Sequence, residues 1–108
     1  MTVKELSEIN GFKAVCMPDG DREIQGGYAG DLLSWVMGRA SEGCAWVTIM
    51  SNVNIVAVCT LADPACIILS EGVQPDAEAK MRAETEGVNI LSTDLDTFST
   101  CAKIAELI

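Results

Sequence analysis

The eight residues from Ala65 to Gly72 read ACIILSEG, an unbroken apolar run that stops at a serine, a glutamate and a glycine. Apolar side chains at odd and even positions alike suit a strand covered on both faces. Two further segments share this form, AWVTIM from Ala45 to Met50 and VNIL from Val88 to Leu91. Helical patterns separate and follow them. Asn54 to Ala62 reads as a helix despite its valines, and Asp76 to Glu86 reads as one after Pro75. Asp94 to Ile108 closes the chain as a helix, with Phe98, Cys101, Ala102, Ala105 and Leu107 as its expected buried residues. Strands alternating with helices over short connections require right-handed crossovers, and hence parallel pairing. The expected fold is α/β, a single domain over residues 1–108, with a mainly parallel sheet flanked by helices.

Upstream of these runs, Val3, Leu6 and Ile9 recur at helical spacing and stop at Asn10-Gly11. FKAVC, Phe12 to Cys16, reads as a strand closed by the turn residues Pro18-Asp19-Gly20-Asp21. Arg22 to Tyr28 reads as extended and is loosened by Gly26-Gly27. From Asp31 to Ala40, the residues Leu32, Leu33, Val36, Met37 and Ala40 line one helical face, with Asp31 placed to cap its start.

Composition narrows the function. About half of the 108 residues are apolar, enough for one modest core. Sixteen acidic residues against seven basic ones give a net charge of -9, which repels a phosphodiester backbone, so nucleic acid is not an expected partner. The acids are spread along the chain, so they describe a solvated surface and not an acidic tail. The apolar run from Ile55 to Cys59 is far shorter than the roughly 20 residues that span a bilayer, and no membrane segment is expected. The five cysteines form no Cys-x-x-Cys pair, which fits a reducing cytoplasm. Histidine is absent altogether. The expectation is a cytoplasmic protein with no metal, no cofactor and no catalytic residue.

The segment GGYAGDLLS, Gly26 to Ser34, runs from a glycine-rich loop into a helix and invites comparison with a phosphate loop. That motif needs a lysine and a hydroxyl after its last glycine, so that a cation meets the phosphate. Asp31 stands there instead. Gly26, Gly27 and Gly30 also miss the spacing of a dinucleotide fingerprint. Asp19, Asp21 and Glu23 lack the rest of a calcium loop.

In a parallel sheet, ligands collect beyond the carboxyl ends of the strands. Three loops are expected at that edge: Ser51-Asn52-Val53-Asn54, Ser70-Glu71-Gly72 and Ser92-Thr93-Asp94. Two readings stand side by side. These residues are good helix caps in any α/β domain, and they can also line a polar pocket. The candidate ligand-binding set is Ser51, Asn52, Asn54, Ser70, Glu71, Gly72, Ser92 and Thr93, with Asn10-Gly11 and Glu42-Gly43 expected at the opposite edge. Tyr28, Trp35 and Met37 are the candidate dimer interface, because such side chains are enriched at interface centres.

The run from Gly26 through ILSEGVQPD, followed by GVNILSTDLDTFSTCAKI, resembles the DRTGG domain family and is similar to the N-terminal domain of HPr kinase/phosphorylase. The name-giving residues do not occur here as a contiguous motif. The resemblance implies a regulatory or assembly domain, often dimeric and close to bacterial energy or carbon metabolism. In HPr kinase the phosphotransfer chemistry belongs to a separate P-loop domain, so neither ATP hydrolysis nor transfer to HPr is expected of this chain. The leading expectation is a non-catalytic homodimeric module that binds a small metabolite or a protein partner. The alternative is an accessory to a phosphotransfer enzyme, or a structural subunit of a larger redox complex of the hydrogenase type.

Overall fold

The computed structural model describes all residues from 1 to 108. Five strands form one sheet in the order β1-β5-β4-β3-β2. They are β1 (Phe12–Cys16), β2 (Gly27–Ala29), β3 (Ala45–Thr48), β4 (Cys66–Leu69) and β5 (Ile90–Thr93). The helices are α1 (Val3–Ser7), α2 (Leu33–Arg39), α3 (Asn54–Ala62), α4 (Ala77–Glu86) and α5 (Thr97–Leu107). Strands β2 to β5 pair in parallel, as the crossovers require, whereas β1 pairs with β5 antiparallel.

Alternation along the strands splits the core in two. Trp46, Ile67, Leu69 and Ile90 meet α2, α3 and α4 through Val36, Ile55, Val56 and Ala83. Ala45, Val47, Ile68 and Leu91 meet α1 and α5 through Val3, Leu6 and Ile104. Every residue of β3, β4 and β5 is buried, which is the physical meaning of their unbroken apolar runs. No helix is long and apolar enough to cross a membrane.

The antiparallel entry of β1 overturns one expectation. Phe12 lies opposite Thr93 and Lys13 opposite Ser92, so the α1–β1 turn sits at the carboxyl end of β5. Asn10-Gly11 therefore shares the ligand edge with Ser92 and Thr93 and does not lie opposite them. A second correction concerns β5, which begins at Ile90 instead of Val88. Asn89 O still accepts from Ile67 N of β4 at 2.8 Å, while the Asn89 side chain accepts from Asp19 N at 2.9 Å and donates to Asp19 O and Ala65 O at 2.7 and 2.9 Å. Ser92 and Thr93 belong to the strand, and the loop starts at Asp94.

Two helix faces also differ from expectation. In α5 the buried residues are Thr100 and Ile104, while Phe98 is 83% exposed and Ala102 and Ala105 face solvent. Thr100 can be buried because its hydroxyl donates to Asp96 O at 2.7 Å, so the phase of the helix cannot be found by counting apolar side chains. In α2 only Val36 is fully buried, with Leu33 and Ala40 packed against that cluster and Leu32 and Met37 exposed. A seven-residue helix near the sheet edge has only a narrow stripe to bury.

Candidate functional site

The glycine-rich segment resolves into structure rather than a phosphate loop. Gly27 to Ala29 is β2, and Gly30 lies so close to the Tyr28 ring that a Cβ there would meet Cε2 at 3.2 Å. The fully buried Trp46 donates its Nε1 to Gly30 O at 2.9 Å. Asp31 does not cap α2, whose start has no side-chain cap. Its Oδ1 accepts instead from Thr48 Oγ1 at 2.7 Å and from Ile49 N at 3.1 Å. The carboxylate thus occupies backbone and hydroxyl donors at the end of β3 that an anionic ligand would otherwise find.

The β4–α4 loop is fastened to the β5–α5 loop. Glu71 and Gly72 both adopt left-handed backbone, with φ of 60° and 73°, and fold the chain back against β5. A non-glycine residue in that region costs on the order of 1 kcal/mol, which local bonds must offset. Glu71 N donates to Leu95 O at 2.8 Å, Gly72 N donates to Thr93 O at 3.0 Å, and Thr97 N donates to the Glu71 carboxylate at 2.8 Å. Ser70 is fully buried and its hydroxyl lies 2.7 Å from Thr97 Oγ1. Asp96 caps α5, and its carboxyl is held below the usual carboxylate range by the Ser99 backbone N–H and then by the Ser99 hydroxyl.

Beyond this fastened loop a cleft of about 510 Å³ opens between the α1–β1 turn and the end of β5. Ser92, Thr93 and Asp94 form one wall, Asn10 and Lys13 the other, and Gln74 reaches in from the β4–α4 loop. Lys13 and Ser92 are directly opposed across the antiparallel pair, so both side chains leave the same face. Lys13 is the one cation of the lining, and Glu8 and Asp94 are its acids. Ammonium, amides, hydroxyls and carboxylates together can hydrogen-bond a polar molecule from several sides.

The structure divides the expected ligand set. Ser92 and Thr93 line the cleft, whereas Ser51, Asn52, Asn54, Ser70, Glu71 and Gly72 do not. Ser51 lies three residues past the end of β3, where its carbonyl accepts from Asp76 N at 3.0 Å, and Asn52 Oδ1 accepts from Asn54 N at 2.9 Å. These groups organise loops. Sequence reasoning missed Lys13, Asn10 and Gln74, because only the pairing of β1 with β5 brings the first two to this edge. Of the interface candidates, Tyr28 and Trp35 line one surface cavity beside β2, and Met37 is not part of it.

Comparison with known proteins agrees with this architecture. No curated protein sequence matches the chain. The crystal structure of the CBS and DRTGG domains of the regulatory region of Clostridium perfringens pyrophosphatase, complexed with the activator diadenosine tetraphosphate, is similar with a TM-score of 0.65 at 16% identity. The likeness covers 85% of this chain and 40% of that one, and it shows the fold. The model of the DRTGG domain matches residues 31–107, which include β3, β4, β5 and helices α2 to α5. The chain belongs to the DRTGG domain family.

Proposed function

We propose that the chain is a non-catalytic, homodimeric regulatory module of the cytoplasm, and that it takes a small polar metabolite in the cleft between the α1–β1 turn and β5. The observation that carries this reading is the lining itself, where Lys13, Asn10, Gln74 and Ser92 converge on one cavity. Its lining brings an ammonium, amides and hydroxyls to one cavity, which suits recognition of a polar ligand by hydrogen bonds. The regulatory region of the similar pyrophosphatase binds a dinucleotide activator, which supports a regulatory role for this fold. One lysine facing two carboxylates suits a ligand with a single anionic group and hydrogen-bond donors, not a polyphosphate.

Amide chemical shifts followed during titration test the proposal, with amino acids, hydroxy acids, AMP and diadenosine tetraphosphate as probes. A binder should move the resonances of Gly11, Lys13, Ser92 and Thr93. Lys13→Met should weaken binding by about tenfold, the worth of one charge-assisted hydrogen bond. Saturable shifts clustered at Glu42-Gly43 instead, or an affinity indifferent to Lys13→Met, would refute it.

A further inference from the structure

Strand β2 ends the sheet, and its outer edge is bare. Gly26 O accepts from Ala45 N at 2.8 Å and Gly30 N donates to Val47 O at 3.1 Å, so the alternate residues Gly27 and Ala29 turn their N–H and C=O groups outward. Edges are protected by shortness, a lysine, a proline or a bulge. Gly27-Tyr28-Ala29 is short but carries no lysine, proline or bulge, and it leaves two residues free to pair.

The α5 flank of this edge is apolar, and the α2 flank combines exposed apolar side chains with one acid and one base. On the α5 side lies a groove of about 310 Å³ whose lining includes Ala29, Val47, Cys101, Ala105 and Ile108, with no charged residue. Phe98 shares the flank of α5 that carries Cys101, Ala105 and Ile108, since these positions recur at intervals of three and four, and it is 83% exposed. On the α2 side Leu32 is 56% and Trp35 51% exposed. Arg39 stacks over the Trp35 ring at 3.7 Å, and Asp31 and Arg39 are the only charges around the cavity there.

We propose that a second copy of this chain docks on β2, antiparallel and about a twofold axis at Tyr28, so that the two sheets become continuous. The proposal rests on the homodimeric reading above and names its surface. Charge complementarity selects the occupant. Asp31 precedes α2 and Arg39 ends it, so a twofold brings the Arg39 end of each copy to the Asp31 end of the other. The same rotation sets Phe98, near the start of α5, against the Ala105 and Ile108 end of the opposite groove. An unrelated strand could satisfy the backbone, but a second copy supplies the phenyl ring and the charge exchange together. With a net charge of -9, two copies repel over most of their surface and meet most easily at this acid-poor strip.

Sedimentation velocity at about 50 μM tests the interface on the wild type, Phe98→Asp and Ala29→Pro. The wild type should be a dimer. Phe98→Asp places a carboxylate in the apolar contact and should weaken dimerisation by about 100-fold, with an unchanged circular dichroism spectrum because the side chain is exposed. Ala29→Pro removes an outward N–H and should also yield a folded monomer. Hydrogen exchange at Gly27 and Ala29 should be slower in the wild-type dimer than in Phe98→Asp. A wild-type monomer overturns the homodimer and its interface together. A dimer that survives both substitutions, or exchange at Gly27 and Ala29 that does not slow in the dimer, overturns this interface and leaves the homodimer standing.

Discussion

Asn89→Ala should be the most damaging single change outside the apolar core. Asn89 is 2% exposed and its side chain makes three hydrogen bonds, two to the Asp19 turn 70 residues earlier in the chain and one to the start of β4, 24 residues earlier. The bond to Ala65 O is buried, and losing it leaves a carbonyl without a partner, at about 1–3 kcal/mol. The two bonds to Asp19 are part-buried, and water reaching the exposed turn recovers some of their worth, so about 0.5–1 kcal/mol each is the expected loss. Together these give about 3 kcal/mol, with little added for the side-chain volume because the site adjoins a solvent-open surface cavity. Urea unfolding followed by circular dichroism should show a lower midpoint at unchanged slope. Thermal melts should fall by roughly 12–20 °C for a domain of this size. A loss below about 1 kcal/mol would refute the accounting, since it would mean that the Ala65 carbonyl finds another partner without cost.

Three further outcomes are expected. Burial pushes the Cys59 thiol up to about 12 and Cys66 higher still, so in the native protein a disulfide reagent should label Cys101 first, and all five thiols only after unfolding. Because the folded values lie above the unfolded value of 9.0, the stabilisation is complete below pH 9 and is lost above it, and each such thiol steepens the fall in stability by about one decade in the unfolding constant per pH unit. Asp31→Ala should cost about 2 kcal/mol by releasing Thr48 Oγ1 and Ile49 N, again read by urea unfolding. An unchanged midpoint would mean that solvent replaces the carboxylate.

The sequence alone determined what local chemistry can encode. Helix α3 spans Asn54–Ala62 as expected, and β1 spans Phe12–Cys16 as expected. Asp76 caps α4 through Ala79 N at 2.9 Å. Propensity, capping and strand patterning act within about four residues, so they are written where they act. Parallel pairing of β3, β4 and β5 was legible in the alternation of strands with helices, which is also a property of consecutive elements, whereas the pairing of β2 was not.

Tertiary structure decided whatever depends on a neighbour distant in sequence. A strand pattern carries no direction, so only pairing with β5 reveals that β1 runs antiparallel and delivers Lys13 to Ser92. The cleft was half legible for that reason: Ser92 and Thr93 follow an apolar run, while Asn10 and Lys13 come from a strand that could have paired elsewhere. The buried face of α5 was decided by a threonine able to satisfy its hydroxyl against its own helix, which left Phe98 outside. Asp31 had a cap open to it beside α2 and took stronger donors on β3 instead, because a carboxylate binds where folding brings a hydroxyl and an N–H together.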